Sequence, residues 1–303
     1  MIVADLPRRQ LEARLADRGI CLQTGPLSAR IRSRLPAVIE GISLHYRNHR
    51  IDDAEGFADF DVCVRRPATV RRWVKPQAHF SFDGQSPFTP LPLDQAFAML
   101  EWGLNWCVSA HCHQYLIFHA AVVERSGRAL VLPAPPGSGK STLCAGLIHR
   151  GWRLLSDELA LIDFASCAIQ PMPRPVSLKN GSIDVMRAFA PAALIGPPVH
   201  DTIKGSVAHM RPPADSVGRA MEAAQAGWIV FPRYRSEAPA ALTVLPKERA
   251  VMQMANNAFN YGIHGRRGFE LLTSFVDRCG CYEFEYGNLD EAACVFDRLA
   301  SER

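Results

Sequence analysis

The sequence predicts a protein of the α/β (α+β) class, and three observations lead to this prediction. Two β-rich runs, at residues 116–124 and 129–133, are joined by the short glycine-containing link RSGR. A glycine-rich loop follows directly and begins a helix that ends near Gly151. Apolar residues at three- and four-residue steps after Asp94 predict another buried helix before this hairpin. Helices therefore alternate with strands closely enough to cover a sheet.

The chain is long enough for two domains. It has 303 residues, of which 48% are hydrophobic and 21% are charged, the composition of a globular protein with a sizeable core. Residues 75–92 contain a turn at Asp83-Gly84 followed by prolines, and we interpret them as a junction. We expect a small N-terminal α+β region over residues 1–90, with helical spacing at 38–45 and a strand at 60–66, and a larger domain over residues 91–303.

Charge and cysteine usage exclude several classes of partner. Thirty-four basic and thirty acidic side chains leave a formal charge of +4, too little for a general nucleic-acid or membrane surface. The most apolar long stretch, residues 96–123, is interrupted by Glu101 and three histidines, so it does not predict a membrane span. Nine scattered cysteines without a CxxC pair, and no secretory signal in the opening residues, predict a cytoplasmic protein.

Residues 134–141 follow the Walker A pattern GxxxxGK[ST], with Ala134 at the first glycine position and prolines at 135 and 136. In such loops successive backbone amides and the start of the following helix surround phosphate oxygens. Lys140 would bridge the β- and γ-phosphates of ATP, and the Ser141 hydroxyl would bind Mg²⁺. An accidental glycine turn is the alternative. The predicted nucleotide-binding residues are Gly137, Ser138, Gly139, Lys140, Ser141 and Thr142.

Asp157 and Glu158 end the predicted strand WRLLSDE, which follows the loop helix. A strand that leaves this helix returns its carboxyl end towards the phosphates. There Asp157 can accept the proton of a hydroxyl group, and Glu158 can help to hold Mg²⁺. The alternative is a solvated acidic turn.

Further candidates are spread along the chain. His119 lies within an apolar strand, where a histidine is more often structural than functional. Lys179, Lys204 and Arg211 could neutralise a transferring phosphate or hold an acidic acceptor, although each could equally be a solvated cation. Residues 190–216 form a long, proline-rich segment typical of a lid or acceptor-binding loop.

Two cysteine patterns suggest other chemistry more weakly. Cys107 and His111 are one helical turn apart and could bind a metal ion, but no partner pair follows at the spacing of a zinc finger. Cys279 and Cys281 flank a glycine before an alternating strand, and this pattern favours packing over redox chemistry.

The segment FHAAVVERSGRALVLPAPPGSGKSTLCAGLIHRGWRLLSDE resembles the catalytic core of the HPr kinase/phosphorylase family. In that family a histidine on the first hairpin strand precedes the loop, and a helix ending in Arg-Gly leads to a strand that finishes in an acidic pair. His119, Arg150-Gly151 and Asp157-Glu158 occupy these positions. The segments RPVSLKN, KGSVAHMRPP, WIVFPRY and NNAFNYG resemble the branch of HPr-kinase-related kinases, specifically the kinase A branch.

This resemblance implies a phosphoenolpyruvate-carboxykinase-like P-loop fold with a mixed sheet. It implies a catalytic site with Asp157 as general base beside Lys140 and His119. The implied activity is a serine kinase that uses ATP and Mg²⁺ to phosphorylate a hydroxyl of a small protein, a peptide or a small molecule. Classical members are hexameric, so a homo-oligomer stays open. The sequence departs from the family at Ala134 and at Glu158, where the second family acid is Asp, and it lacks a recognisable EIRG-type metal-binding glutamate.

Two alternatives to a kinase remain. A regulatory or partner-binding module could use ATP as a structural ligand, and the altered loop favours it. An ATPase would place water where a kinase places its acceptor hydroxyl. The intact combination of Lys140, Ser141 and Asp157 favours the kinase.

Overall fold

The computed structural model describes residues 1–52, 56–67, 76–135 and 137–301. Two residues of the sequence argument lie outside the described residues: Lys75, at the start of the predicted junction, and Pro136, in the glycine-rich loop.

The N-terminal part is built on a mixed sheet. Among the described residues, its strands pair in the order β3-β1-β2-β4-β5-β6. They are β1 (Ile20–Thr24), β2 (Leu27–Ser33), β3 (Ile51–Asp52), β4 (Phe60–Arg65), β5 (Gln77–Phe82) and β6 (Leu91–Pro92). The predicted strand at 60–66 is confirmed, but the segment interpreted as a junction instead contains β5 and β6. Alternating burial along β5 shows why: Ala78 and Phe80 point into the core.

Helices complete this part of the molecule. They are α1 (Arg8–Ala16), α2 (Pro36–His45) and α3 (Ala96–His111), with short 3-10 turns at Val3–Asp5 and Leu93–Gln95. The predicted helix near 38–45 is confirmed as α2. Helix α3, which follows the expected boundary at residue 90, shares a hydrophobic core with the N-terminal sheet, and Gly103 lies against the Phe80 ring.

The predicted hairpin is confirmed. Strands β7 (Tyr115–Arg125) and β8 (Arg128–Pro133) pair antiparallel, and Arg125 lies opposite Arg128. The two linking residues, Ser126 and Gly127, have φ values of +53° and +80°. A two-residue turn with both φ values positive matches the natural twist of paired strands, and glycine adopts it without a steric cost.

A second mixed sheet contains this hairpin. Its described strands follow the order β11-β10-β7-β8-β15-β17-β16, and β9 also pairs with β7. The added strands are β9 (Arg153–Ser156), β10 (Leu159–Asp163), β11 (Ile169–Gln170), β15 (Gln225–Tyr234), β16 (Ala241–Val244) and β17 (Gly280–Tyr286). Strand β15 is parallel to both β8 and β17, so these three strands end at the same edge.

Helices cover both faces of this sheet. Helices α4 (Lys140–Ile148), α5 (Gly181–Phe189) and α9 (Leu289–Ser301) share one hydrophobic core with it. Helices α7 (Lys247–Asn256) and α8 (Tyr261–Asp277) share another core on the opposite side. The short helix α6 (Ala214–Gly218) lies near β9. The predicted α/β class is confirmed, whereas the phosphoenolpyruvate-carboxykinase-like core stays a prediction.

A small antiparallel sheet extends the second part. Its described strands are β12 (Val176–Lys179), β13 (Val199–Thr202) and β14 (Gly205–Met210), in the order β12-β14-β13. The expectation of an irregular loop over residues 190–216 is therefore wrong in part, because β13 and β14 form a hairpin there. The prolines of this segment lie outside both strands, where they remove no ladder hydrogen bond.

Within the described ranges, no helix is both long and apolar enough to cross a lipid bilayer.

Candidate functional site

The glycine-rich loop lies at the edge where the parallel strands end. It connects β8 to α4, and Gly137 and Gly139 have φ values of +87° and +89°. The hydroxyl of Tyr286, at the end of β17, donates a hydrogen bond of 2.9 Å to the Gly139 carbonyl. The amide of Tyr234, at the end of β15, donates to the Ser138 carbonyl at 2.9 Å. Two neighbouring strands thus hold the loop against the sheet edge.

The loop presents backbone donors at the start of α4. Within the described residues, no group accepts a hydrogen bond from the amides of Ser141 and Thr142, and no side chain caps the helix. The first amides of a helix carry a partial positive charge, so an open helix start attracts anions such as phosphate. The Ser138 hydroxyl is also buried without a partner among these residues. The local geometry fits the phosphate-binding role that the sequence predicts.

Lys140, the first residue of α4, is buried against two predicted site residues. Its ammonium lies 3.1 Å from His119 Nε2 and 3.5 Å from Glu158 Oε2. His119 Nε2 lies 3.0 Å from the same Glu158 oxygen. Residues that are 21 and 39 positions from His119 therefore meet in one polar cluster beside the loop.

Glu158 is the anion of this cluster. Its second carboxylate oxygen lies 3.6 Å from the Lys179 ammonium. Burial alone would raise the pKa of Glu158, but Lys140, His119 and Lys179 outweigh burial and hold this pKa well below its usual range. Glu158 is therefore ionised, and it balances two lysines.

Asp157 lies deeper in the protein and is only 4% exposed. Its Oδ2 atom accepts a hydrogen bond of 3.0 Å from the Ser177 amide, whereas its Oδ1 atom is buried without a partner among the described residues. Burial, and then the charge of Glu158, raise the pKa of Asp157. A carboxylate with one fixed oxygen, one unpaired oxygen and a raised pKa is suited to accept a proton from a bound hydroxyl.

The strand register explains how this acidic pair reaches the loop. Strands β9 and β10 lie end to end along β7, with Ser156 opposite Val122 and Leu159 opposite His119. The chain bends at Asp157 and Glu158 between these strands. Because the bend interrupts the regular alternation of side chains, both carboxylates lie beside α4 and β12.

Lys204 lies near this cluster, at the tip of the β13–β14 hairpin. Its ammonium is 4.9 Å from the centre of the Trp102 ring, within the range of a cation–π contact. Burial of the ammonium, and then the charge of Lys179, lower the pKa of Lys204, although the residue as a whole is exposed.

Arg211 is engaged elsewhere. Its guanidinium donates a hydrogen bond to the backbone carbonyl of Leu44 on α2. The described contacts give it no partner in the Lys140 cluster. Its role as an acceptor contact stays a prediction, and its visible contact joins the two parts of the molecule.

A pocket adjoins the acidic pair on the side facing the N-terminal part. Asp157, Ser177 and His209 line it from the second part, and Trp102 and Asn105 of α3 line it from the first. Burial, and then Arg174, lower the pKa of His209 to about 3, so the imidazole is neutral.

A buried ion pair fixes the two walls of this pocket together. The Arg174 guanidinium donates hydrogen bonds to Glu101 Oε2 at 2.7 Å and to Asn105 Oδ1 at 2.8 Å. The Tyr46 hydroxyl donates to Glu101 Oε1 at 2.6 Å. Arg174 lies three residues before Ser177, whose amide binds Asp157, so α3 and α2 support the segment that orients the acidic pair.

The donor set can be compared with the needs of Mg²⁺. Among the residues that the structure describes, no group of three or more His, Cys, Asp or Glu side chains is arranged to hold a metal ion. Mg²⁺ bound with a nucleotide commonly takes one or two protein carboxylates and otherwise phosphate and water oxygens. The first-turn hydroxyl of Ser141 and the carboxylate of Glu158, which lies beside Lys140 of the same turn, are ligands of this kind.

The cysteine alternatives find no support. Cys107 is buried in the N-terminal core, where burial raises its thiol pKa to about 12, and His111 stacks on Phe82 at 4.8 Å. Cys279 and Cys281 are buried in the core beside α8. All nine cysteines are free thiols.

The structure brings together Lys140, His119, Asp157, Glu158 and Lys179. Sequence reasoning missed other members of the site, namely Tyr286, Ser177, His209, Trp102 and the Glu101–Arg174 pair. One signal was available: Glu101 interrupts an apolar helix, and a buried charge needs a partner.

Comparison with known proteins gives little further guidance. No protein family and no curated protein matches this chain. Among solved structures, the chain is similar to the Hpr(Ser) kinase/phosphatase from Coxiella burnetii, over 62% of this chain and 99% of that chain. The sequence identity is 12% and the TM-score is 0.25, a weak likeness at the level of the fold that says nothing about substrates.

Proposed function

We propose that the protein is an ATP-dependent phosphotransferase that transfers the γ-phosphoryl group to a hydroxyl group of an acceptor. The observation that carries this proposal is the position of Asp157: its unpaired, buried Oδ1 lies beside the cluster that contains Lys140. One carboxylate is thus placed to accept a proton near a loop suited to phosphate.

In this reaction, separate residues would bind the phosphates, hold Mg²⁺ and accept the proton. Backbone amides of residues 137–142 and the Lys140 ammonium bind the phosphates. Lys140 must leave Glu158 to do so, and Lys179 remains to balance that carboxylate. Ser141 and Glu158 would hold Mg²⁺, which neutralises phosphate charge when bound. Asp157 takes the acceptor proton, and Ser177 keeps its carboxylate in orientation.

His119 has a positioning role in this scheme. Its Nε2 atom lies between Lys140 and Glu158. A neutral imidazole can accept from the ammonium, whereas a protonated one can donate to the carboxylate. Either form orients the charged groups that flank the phosphates.

The test separates nucleotide binding from transfer. We expect Asp157→Asn to bind ATP within about twofold of wild type, because among the described residues its side chain is hydrogen-bonded to Ser177 and not to the loop, and to transfer phosphate about 10²–10⁴-fold more slowly. Asp163→Asn is the matched control, since Asp163 is an acidic residue of β10 whose side chain, among the described residues, accepts hydrogen bonds from Ala165 and Ser166 of the following turn. Labelled acceptors would be followed with γ-labelled ATP, Mg²⁺ and cell lysate, using mass spectrometry.

Three outcomes would contradict the proposal. Equal loss of binding and transfer in Asp157→Asn would remove the general-base role. Release of labelled inorganic phosphate without a labelled acceptor, in repeated lysates, would favour an ATPase. Tight ATP binding with neither product would favour a regulatory module.

A further inference from the structure

The pocket beside Asp157 has the features of a ligand site. Trp102 and Asn105 of α3 form one wall, and Asp157, Ser177 and His209 form the other. The space inside it that a water-sized group can occupy is about 20 Å³, which is room for one water molecule or one hydroxyl group.

Three polar atoms on the second wall have no partner among the described residues. They are Asp157 Oδ1, Ser177 Oγ and His209 Nε2, and each belongs to a side chain that is at least nine-tenths buried. A buried polar atom without a hydrogen bond is unfavourable, so three on one wall indicate a polar ligand. Asp157 and neutral His209 can accept hydrogen bonds, and the Ser177 hydroxyl can donate one.

Helix α3 limits the size of an acceptor. It stands across the pocket from Asp157, and the buried Glu101–Arg174 pair and Tyr46 hold it in place. A serine on a folded protein would bring its neighbouring residues against this wall. A hydroxyl group fits the space beside Asp157, and a free small alcohol brings no further residues against this wall.

The positive charges near the pocket favour the binding of an anion. Lys140 and Lys179 share the single carboxylate of Glu158. Lys204 lies over Trp102, a residue of the pocket wall, and has no carboxylate partner among the described residues. When Lys140 binds ATP, the Lys204 ammonium beside Trp102 can still bind a negative group of the acceptor.

Resting on the proposed function, we infer that the acceptor is a small alcohol that also carries a carboxylate or phosphate group. Its hydroxyl lies at Asp157 and its anionic group lies at Lys204. The hydroxyl proton moves to Asp157 Oδ1, the hydroxyl oxygen forms a bond to the γ-phosphorus, and the bond between that phosphorus and the bridging oxygen breaks. ADP then leaves with the electron pair of the broken bond.

The experiment uses the full chain with ATP and Mg²⁺. The acceptors are glycerate, L-serine, L-homoserine and glycerol 3-phosphate. Glycerol and L-serine amide serve as counterparts without the anionic group, and a ten-residue peptide with a central serine represents a larger acceptor. ADP formation gives the rate, mass spectrometry identifies the phosphorylated product, and a calorimetric titration with ATP measures nucleotide binding independently.

We expect at least one anionic alcohol to be phosphorylated with a kcat/KM at least tenfold above its counterpart. Lys204→Met should raise the KM for this acceptor at least tenfold and change the KM for ATP less than twofold, and Lys204→Arg should restore most of the loss. Arg187→Met is the control, because it removes an exposed cation whose ion-pair partner among the described residues is Asp184, and it should leave both KM values unchanged.

Preferred use of the peptide or of a neutral alcohol would overturn the inference. So would an equal effect of Lys204→Met on both KM values. If ATP binds and is turned over in an Asp157-dependent way but no anionic alcohol is phosphorylated, the inference fails and the proposed function stands. If ATP does not bind in the titration, the proposed function fails and the inference falls with it.

Discussion

At the scale of single residues, Gly139 shows how tightly the loop is held. A Cβ atom on this residue would lie 2.5 Å from the Tyr286 hydroxyl oxygen and 2.8 Å from Tyr234 Cβ. Gly137 has nearly the same backbone conformation, yet a Cβ atom there would meet open space. Substitutions at these two glycines can therefore distinguish the cost of backbone strain from the cost of steric crowding.

This difference predicts unequal stabilities for two variants. Both Gly139→Ala and Gly137→Ala place a side chain at positive φ, which costs about 1–2 kcal/mol. Gly139→Ala also overpacks against Tyr286, which adds about 1–3 kcal/mol. In urea unfolding, Gly139→Ala should therefore lose more of the free energy of unfolding than Gly137→Ala does. Equal values for the two variants would mean that the tyrosines do not confine the loop.

The sequence predicted the site residues whose motif is local. Lys140 and Asp157 are only 17 positions apart, and the strand, loop and helix between them leave clear signals. Tyr286 lies 147 positions from Gly139, and its alternating strand gives no sign that one hydroxyl binds the loop. His209 could not be predicted either. It belongs to the site because its buried Nε2 atom lacks a hydrogen-bond partner among the described residues, and its neighbours in sequence do not indicate this.

At the scale of elements, local turns decided which predictions succeeded. The β7–β8 hairpin has a two-residue turn containing Gly127, so its pairing could be predicted from nearby residues. Strands β13 and β14 are short and lie among prolines, and β14 gains its second neighbour from β12, whose residues pair with residues 28 to 34 positions later in the chain. Such pairing depends on tertiary contacts that a single segment does not encode.

The contact between α3 and the segment before β12 yields the next prediction. Arg174→Met leaves Glu101 buried without its cation, so we expect a loss of about 3–5 kcal/mol in the free energy of unfolding. Adding Glu101→Leu removes the uncompensated charge and should recover at least half of the loss. A double-mutant cycle, with unfolding in urea, measures both the loss and its recovery. Additive losses, or a single-variant loss below about 1 kcal/mol, would contradict a coupled pair.

At the scale of the whole molecule, the two parts meet through buried histidines. The ring centres of His45 of α2 and His209 of β14 are 6.0 Å apart, and His49 Nε2 lies 2.8 Å from the Pro173 carbonyl oxygen. Burial lowers the pKa of His45 and of His209 to about 3, and that of His49 to about 4. Neither composition nor periodicity indicates how these parts face each other, so this interface could not be predicted.

These histidines make stability depend on pH. Their folded pKa values lie below the unfolded value of about 6.5, so the unfolded chain binds more protons and stability falls as the pH decreases below 6.5. We expect each histidine to contribute a loss of about 2 kcal/mol between pH 7 and pH 5. Unfolding of wild type and His209→Leu at both pH values measures this loss. The same pH dependence in both proteins would show that His209 is not a neutral buried group.

The proposed function requires that the loop before α4 binds ATP through Lys140. Calorimetric titration of wild type, Lys140→Met and Arg187→Met with ATP and Mg²⁺ tests it most directly, with circular dichroism to verify folding. We predict binding by wild type and Arg187→Met and a loss of at least tenfold in Lys140→Met, because a charged contact to phosphate is worth about 1.5–3 kcal/mol. Equal affinity in all three folded proteins, or no binding by wild type, would contradict the account.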